Sequence, residues 1–470
     1  MASIATTLPA TRGRDDEHEA REVKSPSRLP KVSGFRVFWR FLVVQAVLLG
    51  FGVLRVSDWI GLRWLAHVLT GRGARYERLT GPIALRRAFE ILGPTYVKLG
   101  QLVASGEALF PESYSEEFRK LLDQVPPFDT AVLHRTLAEE VGDARERLVH
   151  IDEEPMAAAS IAQVHAARLD DGTEVVIKVQ RPGIGELAAA DVAMMRIYAK
   201  VLSKLSVRIR RAGAVDVIED FENNLVEELD FGNETRRMNE FNDVMRRMGT
   251  KDVAAPIVYE DLSGPRVLTM ERFDGWRLDD TEGILASDYD AKERLRHGIR
   301  AWFQTLIVRG FFHGDVHAGN FLLLKDGRIG YLDFGIVGVF DDEQKTQVLE
   351  YVLGFQQRDF GRVAKSMIGM GTFVDGAQID FDAFKEDLEQ AYAPLLDPEE
   401  GFKMRDMLPD LLRVARAHDM RMPRDLVLVT KQLVYLDRYS RALGGHKMNV
   451  LTDTELSNLI MQDMLAAMFA

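Results

Sequence analysis

In "FFHGDVHAGNFLLLKDGRIGYLDFG", residues 311–335, a polar octet separates two apolar runs. Polar groups set beside a core must find partners, so such a break needs a reason. Past the octet, "FLLL" and "RIGYL" flank "KDG", the signal of a tight hairpin. Asp315 and Asn320 therefore lie five positions apart in a loop, and a hairpin carries the chain on to Asp333 in "LDFG". Phosphoryl transfer needs this set: one carboxylate to position a nucleophile or take its proton, and an amide and a second carboxylate to hold a metal on the phosphates. Capping a turn is the ordinary use of Asp and Asn in loops, but it does not call for a D-F-G after a hairpin. His313 and His317, four apart with Asp315 between them, suggest zinc only superficially. They belong to a loop with no third nitrogen ligand spaced nearby, so each imidazole is expected to bond backbone instead.

The 470 residues exceed one compact core and imply two or three lobes. Hydrophobic residues make up 46% and charged residues 28%, an ordinary globular balance. The absence of cysteine excludes disulfides, thiolate metal sites and thiol catalysis, and suits a reducing cytosol. A net charge of -12 argues against nucleic acid as a partner. Residues 31–90 run against that balance, with ten Lys or Arg facing only Asp58, Glu77 and Glu90. Charge asymmetry of this kind points to a membrane surface or an anionic partner. Inside that segment Phe41–Leu54 is uncharged over 14 residues, short of the roughly 20 that span a bilayer. Three readings stay open for it: a helix buried against the body, an interfacial helix with flanking arginines at the headgroups, or a spanning helix. No small-residue cleavage site follows, and a secretory signal would not begin after 34 polar residues.

Residues 1–34 are polar and Pro-punctuated and read as a disordered tail. A helical extension is expected over 35–140, ending near "VPPFD", where a helix cannot continue. The runs "AQVHAARL" and "EVVIKVQ" around "DDGT" predict a hairpin. It opens a first lobe over 141–272, with a helical stretch from about Ile184 to Met248 and a strand at "RVLTMERF". A second lobe over 273–450 and a helical tail over 451–470 complete an α+β protein of two lobes.

"EVVIKV" puts Lys178 in an apolar strand, where an unpaired ammonium would be costly. Such a lysine suits nucleotide phosphates and wants a carboxylate on a nearby helix; Glu228, Asp230 and Glu234 in "EELDFGNE" are candidates that spacing does not separate. Between the first strands lies Ala157-Ala158-Ala159-Ser160. Alanine lets backbone N–H groups approach a phosphate but restricts positive φ, so this loop should be stiffer than a glycine loop.

Five segments in order carry a family resemblance: "YVKLGQLVASGEALFPESYSEEFRKLLDQVPP", "AAASIAQVHAARLDDGTEVVIKVQRPGI", "EELDFGNE", "VLTMERFDG" and residues 311–335. Over residues 80 to 345 the chain resembles the UbiB/AarF-like atypical kinases, a family associated with ubiquinone and other isoprenoid-lipid metabolism. The resemblance implies a bilobal protein-kinase-like fold whose N-terminal helical extension, with the K-x-G-Q signature, packs over the active-site cleft. Lys98 and Gln101 of that signature are three apart and share a helix face. It further implies ATP or ADP with Mg²⁺ as cofactors. Ala157, Ala158, Ala159, Ser160, Lys178, Glu228, Glu234, Lys98 and Gln101 would surround the nucleotide, and Met270, Glu271 and Phe273 would form the adenine hinge. Asp315 would be base or positioner, with Asn320 and Asp333 on the metal. An isoprenoid lipid or quinone precursor is the implied partner, at the cytoplasmic face of a membrane. Two departures stand out. Val316 and Ala318 replace the prolines of the usual "DPHPGN", and "SGEALFP" replaces "SRPDLLP", removing an Arg and an Asp.

Only "IVGVF" separates Gly335 from Asp341, where a capped helix begins. That leaves no platform for a peptide, so a small molecule, a lipid or plain ATP hydrolysis fits better. Two alternatives share parts of this pattern. Antibiotic-kinase-type phosphotransferases have the "HGD…N" and following Asp but lack K-x-G-Q, and a non-catalytic scaffold could bind nucleotide as a switch.

Overall fold

A computed structural model describes residues 28–62, 64, 79–105, 112–121, 126–206, 210, 213–370, 372–373, 379–396, 408–420, 424–445, 450 and 453–468. The expected tail thus lies outside the described residues up to position 27, and most of "SGEALFP" does so over 106–111.

Helix α1 (Gly34–Trp59) starts at Ser33, whose hydroxyl accepts the Arg36 N–H. It is followed by α2 (Gly81–Leu92), α3 (Pro94–Ser105), α4 (Glu112–Phe118) and α5 (Thr130–Val141), the last capped by Asp129. One face of α1 docks on the body. Val44 is buried, Arg40 meets the fully buried Asp191 with a second bond of 3.1 Å, and Gln45 bonds Tyr198. Arg40 also bonds the carbonyl of Leu92. This arginine is therefore not at a headgroup position, as the interfacial reading assumed; a buried carboxylate claims it. The opposite face exposes Phe35 (77%), Phe38, Trp39, Leu42, Leu49, Val53 and Trp59 (75%). Counting its flanks, the helix runs 26 residues and is long and apolar enough to cross a membrane, by length and composition alone.

The first sheet is β1 (Leu148–Ile151), β2 (Ala157–Ala158), β3 (Ala162–Leu169) and β4 (Glu174–Gln180), completed by β6 below. Side chains alternate along β4. Val175, Ile177 and Val179 pack with Leu133 and Leu137 of α5, which roofs the outer face. Val176 and Lys178 take the inner face, and Val176 joins the large core below. Among the described residues, the run from Ile184 contains the helices α6 (Ile184–Leu205), α7 (Ala214–Glu228) and α8 (Phe231–Arg247). The last break has a local cause: Asp230 leaves helical geometry and caps α8 through the Gly232 N–H at 2.9 Å.

The chain continues through β5 (Val253–Ala254), β6 (Val267–Glu271), β7 (Gly275–Arg277), α9 (Thr281–Leu285) and α10 (Ala291–Arg309). Then come β8 (Phe311–His313), the hairpin β9 (Phe321–Leu324) and β10 (Ile329–Tyr331), and β11 (Val337–Val339). A second sheet has the order β5-β10-β9-β7, and β11 returns antiparallel onto β8. Helices α11 (Asp342–Gln356), α12 (Phe360–Gly369), α13 (Phe381–Leu396), α14 (Leu408–Ala417), α15 (Arg424–Gly444) and α16 (Thr454–Met468) complete the second lobe. Its core centres on Trp302, Phe312, Phe321, Tyr331 and Phe334. The fold is α+β and bilobal, and the extension packs on α6 and α7 through Phe89, Tyr96, Phe118, Met195 and Phe221.

Candidate functional site

The inner face of β4 sends Lys178 toward α8. Its Nζ lies 2.8 Å and 3.1 Å from the two Glu234 oxygens and 3.4 Å from Asp333 Oδ1. Of the three candidate partners, then, Glu234 in the first turn of α8 pairs with the lysine. Glu228 pairs instead with Lys98, at 2.8 Å. Burial alone would lower the Lys178 ammonium, but Asp333 and Glu234 outweigh it and hold the group above its ordinary range. The Asp333 side chain is half exposed, yet desolvation by the surrounding protein would raise its carboxyl; Lys178, Lys98 and the Gly335 N–H overcome that and bring it to about 2. Asp333 is also a non-glycine residue at φ +56, and its Oδ1 accepts the Gly335 N–H at 3.2 Å. Asp tolerates that left-handed backbone because its short side chain bonds its own turn. Phe334 anchors the turn, buried edge-on to His313 and Phe241.

His313 is buried. Its Nε2 donates to the Leu332 carbonyl at 2.9 Å, and its Nδ1 accepts the Asp315 N–H at 3.2 Å. Burial pulls the imidazole below its ordinary range, so it stays neutral and keeps this tautomer. It thereby ties the segment before the "DFG" to the loop bearing Asp315. The Asn320 side-chain amide donates to the Asp315 backbone carbonyl at 3.2 Å, and the Asn320 backbone carbonyl accepts the Leu332 N–H at 2.8 Å. His317 accepts the Gly319 N–H on Nδ1 at 2.9 Å and turns Nε2 toward Asp315 Oδ2, 3.7 Å away. Both imidazoles thus bond backbone. Among the described residues no group of three or more His, Cys, Asp or Glu is arranged to hold a metal. Magnesium does not need one, since it is commonly held by one or two side-chain oxygens with water and phosphate oxygens. Asn320 and Asp333 fit that role in donor type.

Lys98 brings the extension to the cleft. Gly100 in the same motif is required by packing, because a Cβ there would strike Leu121 and Phe118. Gln101 is half-buried on the same helix. The alanine loop is a tight turn. Ala157 and Ala158 pair with Val164 and Gln163, the Ala159 N–H bonds the Ala162 carbonyl at 2.8 Å, and Ser160 is buried. Arg181 pins it, donating Nε to the Ala159 carbonyl at 2.8 Å. In the segment expected to form the hinge, the Met270 side chain packs in the core and Glu271 lies 3.5 Å from Arg328. Phe273 lies under the Arg328 guanidinium.

One residue that the motifs do not reveal completes the loop. Gln432 of α15, buried, accepts the Val316 N–H at 2.9 Å and donates to the Gly314 carbonyl at 2.6 Å. It secures both peptides flanking Asp315. A glutamine in an amphipathic helix carries no signal of such a role.

The two lobes, the strand lysine paired to a helix glutamate and the Asp–Asn loop ahead of D-F-G define a protein-kinase-like architecture. Comparison with known proteins agrees. The description "ABC1 atypical kinase-like domain" matches residues 120–367, and "UbiB helical domain" matches 397–445. An uncharacterized chloroplastic aarF domain-containing protein kinase of Arabidopsis thaliana is 35% identical over 406 residues, 81% of this chain and 75% of that protein. An uncharacterized protein of Mycobacterium tuberculosis is 39% identical over 379 residues, 79% of this chain and 76% of its own length. A Pseudomonas entomophila protein named "Probable protein kinase UbiB" is 33% identical over 394 residues, 81% of this chain and 70% of that one. The chain belongs to the ABC1 atypical kinase-like family, among the UbiB/AarF proteins.

Proposed function

We propose that the protein binds ATP or ADP with Mg²⁺ between the alanine loop and residues 313–335, and transfers or hydrolyses the terminal phosphate. It would do so in support of ubiquinone or other isoprenoid-lipid metabolism at a membrane surface. The observation carrying this reading is the Lys178 ammonium set between Glu234 and Asp333, at 2.8 Å and 3.4 Å. In this arrangement Lys178 clamps phosphate oxygens while Glu234 keeps it aimed. Residues Ala157 to Ser160 cover the phosphates, the Met270–Phe273 backbone meets adenine, and Lys98, Gln101 and Glu228 close the cleft from the extension. Asp315 orients the acceptor and takes its proton. Asn320 and Asp333 would hold the metal, which when bound neutralises charge on the phosphates. The pairing of β11 with β8 directly after the "DFG" turn leaves little chain on which to seat a peptide. A small molecule, a lipid or water is the better acceptor. The domain partition 1–34, 35–140, 141–272, 273–450 and 451–470 belongs to the same reading.

The exposed face of α1 supports peripheral attachment at the cytoplasmic side of a membrane. Aromatic residues line its outer side, while Arg40 locks its inner side to Asp191. The test is Mg-ATP binding and hydrolysis by wild type and Asp333→Asn, with and without anionic vesicles. The expected result is a loss of at least about a hundredfold in kcat/KM for Asp333→Asn, with co-sedimentation and faster turnover on vesicles. Equal turnover by the two proteins would defeat phosphotransfer at this site. Failure to bind or respond to vesicles would defeat the membrane part.

A further inference from the structure

Lys178 is committed to the Glu234 and Asp333 end of the cleft. The acceptor end is different. Asp315 is an anion placed where a phosphoryl group would also carry negative charge, and the loop 313–320, "HGDVHAGN", contains no Lys or Arg. Two like charges brought together in a cleft need a cation between them or close beside them.

The helix that secures the loop supplies one. Lys431 Nζ of α15 lies 3.7 Å from Asp315 Oδ1. The neighbouring Gln432 holds both peptides flanking Asp315, at 2.6 Å and 2.9 Å. The base of Lys431 is therefore fixed relative to the Asp315 backbone by a buried hydrogen-bonded frame. Its tip is not so fixed. The lysine's side chain is 33% exposed, its ammonium lies 5.8 Å from the Tyr435 ring centroid, and its separation from Asp315 exceeds hydrogen-bond length. A long flexible stem with a point charge at its end can reach a second acceptor beside the first.

We propose that Lys431 is the cation serving the transferred phosphoryl group on the acceptor side, so that α15 forms part of the active site. The inference rests on the phosphotransfer reading above. In the step it serves, the bond from phosphorus to the leaving oxygen breaks and the bond to the acceptor oxygen forms. The acceptor's proton passes to the Asp315 carboxylate. Lys431 gives up no proton; it leaves Asp315 for a phosphoryl oxygen as charge develops there, and it returns when product departs.

The test uses the full chain as wild type, Lys431→Met and Lys431→Arg. Three quantities are read: kcat and KM for Mg-ATP, Kd for Mg-ADP, and the thermal unfolding midpoint. Mg-ADP lacks the group that Lys431 serves. Lys431→Met should therefore lose about a hundredfold in kcat while its Mg-ADP Kd and unfolding midpoint stay at wild-type values. Lys431→Arg should recover about tenfold of that loss, since its charge reaches the same place with a different shape. A Lys431→Met variant with wild-type kcat, or one whose Mg-ADP affinity falls in step with kcat, would overturn the inference while leaving the proposed function standing. A wild type that binds no Mg-nucleotide would overturn both.

Discussion

Glutamine at position 234 would test the centre of the site. The change keeps the side chain's volume and one acceptor oxygen and removes only the charge. Lys178 Nζ sits 2.8 Å from the nearer Glu234 oxygen and 3.4 Å from Asp333 Oδ1. With an effective dielectric of about 20, those contacts amount to about 6 and about 5 kcal/mol of gross attraction. Most of that offsets desolvation, and breaking a buried pair by removing one partner costs about 3–5 kcal/mol net. Because Asp333 remains and the new amide still accepts a bond, the loss in Glu234→Gln should be about 2 kcal/mol. The ammonium would then turn toward Asp333 and compete with the metal, weakening Mg-ADP by about tenfold. A urea titration of the nucleotide-free protein reads the first effect as a lower midpoint at unchanged slope. Fluorescence titration with Mg-ADP reads the second. A Glu234→Gln protein with wild-type midpoint and affinity would refute the claim that Glu234 holds the lysine in place.

Four further outcomes follow from the geometry. Arg40→Met strands the fully buried Asp191 carboxylate and should cost about 3 kcal/mol; protease cleavage within α1 and an earlier unfolding transition would register it, and Arg40→Met/Asp191→Asn should recover part of the loss. Gln432→Ala removes the ties to Gly314 and Val316, which should lower kcat by about tenfold or more while Mg-ADP affinity holds; the ratio of the two constants decides it. His313 is depressed by burial, so below its ordinary value of 6.5 the unfolded chain takes up a proton that the folded chain refuses. Stability is therefore fully present above that pH and falls as pH drops, by up to about 1.4 kcal/mol per unit, and His313→Gln should flatten that part of the denaturation profile. Asp333, at about 2 against an ordinary 3.8, loses its contribution only as pH falls through that lower window, and should not titrate between about pH 5 and 8.

Much of the architecture could be read from local signals. Turn residues fix the hairpins around "DDGT" and "KDG", and the capped helix expected at Asp341 begins there, with Asp341 and Gln344 forming a capping box. Alternation along β4 placed Lys178 among apolar neighbours, and the spacing of Asp315, Asn320 and Asp333 carried the chemistry proposed for them. Each of these depends on residues within a few positions of one another, where backbone preference and side-chain period act directly.

What folding alone decided is which distant groups meet. Glu228, Asp230 and Glu234 were equivalent by spacing. The cap at Asp230 breaks the helix between them and resets its phase, so Glu228 turns to Lys98, Asp230 bonds Gly232, and only Glu234 faces the strand lysine. The apolar run in α1 could not say which face would dock, because that depended on Asp191, 151 residues away from Arg40. Gln432 likewise reaches its loop across 116 residues. A sequence records each side chain's chemistry and its phase within one element. Partnership between elements is set by how their axes cross and which buried charges must be satisfied, and that exists only once the core has closed.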